Sequence, residues 1–174
     1  VDGGKTCEHG DLLAGPPAEF GQKADEDGGG DEAEVGAIVA AAGAYGAATL
    51  VRVEQPDRIR VGRVLDAGAA GVMLPRISSA AEAAAALRHR LYPPEGDRGV
   101  ATYNRAARWG GEVAALDAAN DRAVGIVQIE TAGAMDDLDA IAATPGADVL
   151  FVGPQDLSYA LGVLRQFDAP VFQE

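Results

Sequence analysis

Four short apolar runs, each leading into a helical stretch or into a connection that reaches one, restrict this chain more than any other feature. The runs are ATLVRV (48–53), AGVMLP (70–75), AVGIVQIE (123–130) and ADVLFVG (147–153). Helical spacing or composition covers 35–46, 56–68, 78–91, 111–121 and 131–144, with Gly68 as a stop and Ser78 or Ser79 as a cap ahead of Glu82. A run as continuously apolar as VLFV reads as a strand covered on both faces, the mark of a parallel sheet. Repeated β-α units of this kind give a (β/α)8 barrel or a doubly wound sheet. No glycine-rich dinucleotide fingerprint follows any of the four strands, which counts against a cofactor-binding doubly wound sheet. The expected fold class is therefore α/β, of the (β/α)8 barrel type. A complete barrel takes about 250 residues, and this chain has 174, so the barrel is expected to be truncated.

Residues 15–34 break the pattern with five glycines, two prolines and seven acidic residues. They read as a mobile, solvated loop. The expected organisation is a fragment at 1–14, this loop at 15–34 and a partial barrel at 35–174. The net charge of −13 argues against nucleic acid as a partner, because phosphate binding needs clustered Lys and Arg. The acidic, lysine-poor composition suits a high-salt cytoplasm or follows from high-GC codon usage, and both readings stay open. The lone Cys7 excludes an internal disulfide and fits a reducing cytoplasm. No run approaches the roughly 20 apolar residues of a membrane span, and no signal peptide is read at the start. The chain opens on Val1 rather than Met, which leads to the expectation that it is a piece of something longer.

Charged residues stand where apolar strands end. Arg52 lies in LVRVE, Glu130 closes VQIE and Asp156 follows FVGPQ. In a barrel these ends share one face, where loops build the site. Two carboxylates and a guanidinium suit a magnesium-class ion with an anionic ligand, since hard divalent ions take oxygen donors and leave room for substrate oxygens and water. A keto acid chelates such an ion through its carboxylate and carbonyl, and Arg52 would stabilise the charge developing on an enolate oxygen. Each residue alone also has a structural reading. Asp156 would cap the helix at LSYALG, Glu130 would be a surface residue at a strand end, and Arg52 would pair with Glu54 or Asp57. Together, three charges at three strand ends are harder to explain as decoration. His9, in CEHGD, is a candidate general base or an exposed loop histidine. His89, on a charged helix face, takes no role.

The ordered set VQIET, VGPQDLS, YPPEGDRG and CEHG, with LDAGAAGVMLP and LGVLRQFDAP, resembles the HpcH/HpaI aldolase/citrate lyase family of the pyruvate/phosphoenolpyruvate barrels. The likeness runs from about residue 48 to the C-terminus, plus Glu8-His9-Gly10. It implies a (β/α)8 barrel and a divalent-metal-dependent aldolase that cleaves 2-keto-4-hydroxy acids to pyruvate, or a close analogue, and an aldehyde through an enolate held on Mg²⁺, Mn²⁺ or Co²⁺. By that resemblance Glu130 and Asp156 are the metal carboxylates, and Arg52 stands beside the ketone oxygen. His9 is the base and Asp66 orients it. Gln128 and the Gly153-Pro154-Gln155 turn meet the substrate. No Schiff-base lysine is needed, and neither Lys5 nor Lys23 falls on an expected strand. The resemblance further implies a cytoplasmic enzyme of aromatic-compound catabolism, with a small keto acid as substrate, no membrane, and a homo-oligomer, hexameric in relatives. The family pattern has a strand and helix before its histidine and two further strands after QFDAP. Here the first strand and the last two are missing, and GGKT stands where an apolar run would lead into His9. Two rivals accompany this reading: a citrate-lyase-β or malyl-CoA-lyase relative, whose CoA would call for basic surface, and a non-catalytic truncated barrel that needs a partner.

Overall fold

The structure, a computed structural model, describes residues 32–173. Helix α1 (Glu32–Ala44) opens three residues inside the stretch read as an acidic loop. Glu32 and Glu34 occupy its first turn, where negative charge complements the helix dipole. Glu32 takes ion pairs from Arg63 at 2.9 Å and Arg60 at 3.5 Å, and the hydrogen bond from Arg63 holds its carboxyl below the ordinary range. The next elements are β1 (Leu50–Arg52), α2 (Arg58–Asp66), β2 (Gly71–Leu74) and α3 (Ala80–Arg88). After a long connection come α4 (Ala119–Arg122), β3 (Val124–Ile129), α5 (Ala132–Asp136), α6 (Leu138–Ala142), β4 (Val149–Val152), α7 (Pro154–Ala160) and α8 (Pro170–Gln173).

The four strands form one parallel sheet in the order β1-β2-β3-β4. Consecutive parallel neighbours joined by crossover helices are the expected arrangement of a barrel sector. Val53, Val72, Leu74, Val127 and Ile129 turn to one face and pack with Val61, Val64 and Leu65 of α2, Ala83, Ala86 and Leu87 of α3, and Ile141 of α6. Side chains alternate across a strand, so Arg52, Met73, Ile126, Gln128 and Glu130 turn to the opposite face. One face is thus the apolar core, and the other is free to carry chemistry.

β4 departs from expectation. Its VLFV run reads as covered on both faces, yet Val149, Phe151 and Val152 are exposed. Its only hydrogen-bonded neighbour among the described residues is β3, which leaves its outer edge unpaired.

Two expected helices are broken, each by a tertiary bond that outweighs propensity. The stretch 111–121 forms a 3₁₀ turn at Val113–Leu116 and then the short α4. Asn120 is held across the chain by Tyr92, whose N–H donates to Asn120 Oδ1 at 2.7 Å and whose carbonyl accepts from Nδ2 at 3.1 Å. The stretch 131–144 breaks at Asp137 (φ −112°, ψ 18°). The Asp137 carboxylate accepts from the Ala80 N–H at 2.7 Å and so caps α3 from outside that helix. The other caps are local. Asp57 accepts from Ile59 and Arg60 N–H ahead of α2, and Ser79 accepts from Glu82 N–H ahead of α3.

The connection after α3 is anchored by Arg98. Its side chain is 3% exposed and donates to Asp66 Oδ1 at 2.6 Å, beside the Tyr92 ring at 4.4 Å. Burial raises the Tyr92 hydroxyl pKa. Breaking a buried pair leaves an uncompensated charge, which costs about 3–5 kcal/mol when both partners are deeply buried. Asp66 is 26% exposed, so Asp66→Asn is expected to lower stability by about 2–3 kcal/mol. Urea unfolding measures this, and an unchanged midpoint would contradict the anchoring role. The double change Asp66→Asn with Arg98→Met is expected to recover part of the loss.

Candidate functional site

The polar side chains of the non-core face gather at the C-terminal ends of β1 and β3. Arg52, the last residue of β1, is exposed, and its Nε donates to Gln128 Oε1 at 2.8 Å. Gln128 and Glu130 are 4% and 5% exposed. They stand two residues apart and share a face because a strand repeats every second residue. Glu130 Oε1 accepts the Arg76 N–H at 2.7 Å. Glu130 Oε2 is buried and has no hydrogen-bond partner among the described residues.

Gly153 follows β4, and its N–H donates to the Ile129 carbonyl at 2.9 Å, so the ladder continues to the level of Glu130. A β-carbon at Gly153 would lie 3.0 Å from Gln128 Nε2 and 3.3 Å from Glu130 Oε2. Absence of a side chain there keeps space beside the unpartnered oxygen. Pro154, Gln155 and Asp156 then form the first turn of α7. Ser158, fully buried, donates to the Gln155 carbonyl at 2.7 Å and accepts the Arg165 N–H at 3.1 Å, fixing that turn.

The particular structural alternatives read for the three charged residues do not match their surroundings. Glu130 is not a surface residue. Arg52 does not pair with Glu54 or Asp57: Glu54 binds Arg60 at 2.8 Å and Asp57 caps α2. Asp156 is not the cap of α7, because Gly153 stands at that position, and Asp156 is exposed without a partner among the described residues.

Gln128, Glu130 and Gly153 are in mutual proximity, Arg52 joins them through Gln128, and Asp156 lies one turn beyond Gly153. Asp66 is not brought to this group. It is the last residue of α2, which runs back against the strands, so it stands near the start of β2 and is held there by Arg98. His9 lies outside the described residues. His89 pairs with Asp97 at 2.8 Å. A cavity of about 630 Å³ lies elsewhere, between α1, α2 and the 103–109 loop, and contains none of the strand-end residues.

The donor set suits a hard cation. No group of three or more His, Cys, Asp or Glu converges among the described residues; the carboxylates at the ends of β3 and β4 are the buried Glu130 and the exposed Asp156. An oxygen pair of this kind fits Mg²⁺ or Mn²⁺, which keep several positions for water and substrate. A buried carboxylate oxygen without a partner is costly unless a positive group meets it, and Glu130 Oε2 meets that description. Arg76 is the residue of this neighbourhood that the sequence reading passes over. Its signal is position: it stands two residues past β2, the strand end to which no function is given.

The family model for HpcH/HpaI aldolase/citrate lyase matches residues 33–173. The chain is 44% identical over 122 residues to a 4-hydroxy-2-oxovalerate aldolase of Novosphingobium aromaticivorans, covering 69% of this chain and 46% of that protein. It is 45% identical over 117 residues to a 2-dehydro-3,6-dideoxy-6-sulfogluconate aldolase of Pseudomonas putida, covering 67% and 46%. The fold matches the crystal structure of an HpcH/HpaI aldolase/citrate lyase family protein from Burkholderia cenocepacia J2315 with a TM-score of 0.79 and 40% identity, over 82% of this chain and 58% of the other. The chain thus spans about half the length of the curated relatives it matches, 46% in both cases. No helix among the described residues is long and apolar enough to cross a membrane. With its parallel β-α sheet, its strand-end carboxylates and a match running almost from α1 to α8, this chain belongs to the HpcH/HpaI aldolase/citrate lyase family.

Proposed function

We propose that the protein is a divalent-metal-dependent aldolase, cleaving a 2-keto-4-hydroxy acid into pyruvate, or a close analogue, and an aldehyde. The observation that carries this reading is Glu130 Oε2, buried, unpartnered among the described residues and beside the space left by Gly153. Aldolases named among its relatives support the same chemistry.

Glu130 and Asp156 would hold the ion, which is Mg²⁺, Mn²⁺ or Co²⁺. When bound, it supplies Lewis-acid polarisation of the substrate carbonyl. In the cleavage, the C4 hydroxyl gives up its proton to a base, the C3–C4 bond breaks, and C4 leaves as the aldehyde carbonyl. The bonding pair passes to an enolate, which takes a proton at C3 to give the methyl group of pyruvate. Arg52 is oriented by Gln128, and its guanidinium faces the oxygen on which charge develops, a contribution realised mainly in the transition state. The Gln155 N–H, in the first turn of α7, would receive the substrate carboxylate, since the Gly153 N–H is bonded to the Ile129 carbonyl and Pro154 has none. His9 is proposed as the base. Asp66, bound to Arg98 at the other end of the sheet, would orient His9 only if that histidine came to it, and its Arg98 anchor is the role with a visible partner. Assembly as a cytoplasmic homo-oligomer belongs to the same reading, supported by exposed apolar side chains such as Phe151 and Trp109.

The test is pyruvate release from 4-hydroxy-2-keto acids with Mn²⁺ and with EDTA. Release that stops on chelation is expected, and release unaffected by EDTA would overturn the reading. Glu130→Gln and Asp156→Asn are each expected to cut this turnover by at least about a hundredfold, since even the partners of metal ligands cost about 10–100-fold. In Glu130→Gln the introduced amide oxygen would keep the bond from the Arg76 N–H while the unpaired charge disappears, so the melting temperature is expected to hold or rise. Arg52→Lys is expected to cost about a hundredfold in kcat, because an ammonium does not reproduce the guanidinium fork. A kcat close to that of the parent would leave Arg52 a structural role only.

A further inference from the structure

β1 and β4 are the outer strands of the sheet, each hydrogen-bonded on one side only among the described residues. Sheets guard such edges with charges, prolines or bulges. The β4 run VLFV carries no charge and no proline. It is also uncovered on both faces. Val152 (51% exposed) stands on the core face beside Ile129, and Val149 and Phe151 are exposed on the other, beside Ile126 and Gln128. The helices that follow are short, seven residues in α7 and four in α8. The opposite end of the sheet has the converse surplus. Past Glu34, the thirteen-residue α1 holds only apolar residues and glycine. A helix apolar all round belongs in an interior, yet Val35 is its one buried residue, and Ile38 is 49% exposed. Ion pairs from Arg60 and Arg63 to Glu32 hold α1 beside α2, the β1–β2 crossover, away from β4. One end therefore lacks a strand partner and a covering helix, and the other end has both to give. Four strands cannot close on themselves, whereas eight parallel strands do.

We propose that two copies of this chain associate head to tail, the β4 edge of each pairing in parallel with the β1 edge of the other, to close an eight-stranded barrel in which the α1 of each copy covers the β4 of the other. A two-fold axis along the barrel generates both junctions at once, so the contact is heterologous and still closed. Antiparallel pairing of β4 with a second β4 would leave β1 and α1 uncovered. The lengths agree: the chain spans 46% of two curated relatives, so two copies come close to the length of one. Because all strands run the same way, each junction sets the Arg52 end of one β1 next to the Gly153–Asp156 turn of the other copy. The proposal takes up the homo-oligomer of the function proposed above, says which edges meet, and does not depend on the metal.

The experiment is light scattering behind size exclusion on the full 174-residue chain, under reductant so that Cys7 cannot link copies. The expected mass is twice the 17.7 kDa of one chain. Val149→Lys with Val152→Lys charges the β4 edge, and Ile38→Glu with Leu50→Lys charges the α1–β1 end, the device by which sheets block edge pairing. All four positions are exposed, so both variants are expected to keep cooperative unfolding and to run at the mass of one chain. An equimolar mixture of the two is expected to recover a dimer fraction, since it can join an unaltered β4 to an unaltered β1. A parent at the mass of one chain, its edges covered by residues 1–31 or by solvent, would overturn the proposal. So would a mass above two chains, loss of the dimer in only one variant, or a mixture that stays monomeric. Failure of the aldolase reading shows separately, as pyruvate release that is absent or insensitive to EDTA while the dimer and its variants behave as expected.

Discussion

A carboxylate buried at the end of β3 is the constraint around which this end of the molecule is arranged. Removing a charged carboxylate from water costs several kcal/mol unless hydrogen bonds or an opposite charge replace the solvent. For Glu130 one oxygen is met by a single amide, that of Arg76, and the other is met by nothing among the described residues. The arrangement around it is consistent with a site kept open for a ligand. The β2 chain end adopts a left-handed turn to offer its N–H, and Gly153 gives up a side chain where one would touch Gln128 and Glu130.

The loops that hold this arrangement are tied together just behind it. Thr131, next to Glu130, caps α5 by accepting from the Ala134 N–H at 3.0 Å and donates to the Ile77 carbonyl at 3.0 Å. The Ser78 hydroxyl meets the same Thr131 oxygen at 3.2 Å. The segment after β2 and the segment after β3 are therefore locked side by side, and they bring the Arg76 amide within reach of Glu130. Asp137 adds a third tie by capping α3 from the break between α5 and α6. Rigid placement of this kind is what a site needs when it works by orientation and electrostatics.

Much of the architecture was legible in the amino-acid order, because apolar period and cap chemistry act locally. The four strands fall within the apolar runs, and Ser79 and the Gly68 stop stand where helix signals place them. What was not legible depends on contacts far apart in sequence. The Arg52–Gln128 bond spans 76 positions, and nothing local distinguishes it from a pair with Glu54. The breaks in the stretches 111–121 and 131–144 come from Asn120 binding Tyr92 and Asp137 binding Ala80, tertiary bonds that outweigh helix propensity. At the proposed site, the placement of Glu130, Asp156 and Arg52 at strand ends was legible, whereas the burial of Glu130 and its bond from the Arg76 N–H depend on the turn after β2.

The measurement that bears most directly on this account is Mn²⁺ binding, followed by the loss of the free-ion electron paramagnetic resonance signal as chain is added. The account predicts about one ion per chain, bound by the parent and lost when Glu130 is changed to Gln in a protein that still unfolds cooperatively. Mn²⁺ binding that is equally tight in the Glu130→Gln chain, or absent from the folded parent, would contradict the claim that this buried carboxylate is held ready for a metal.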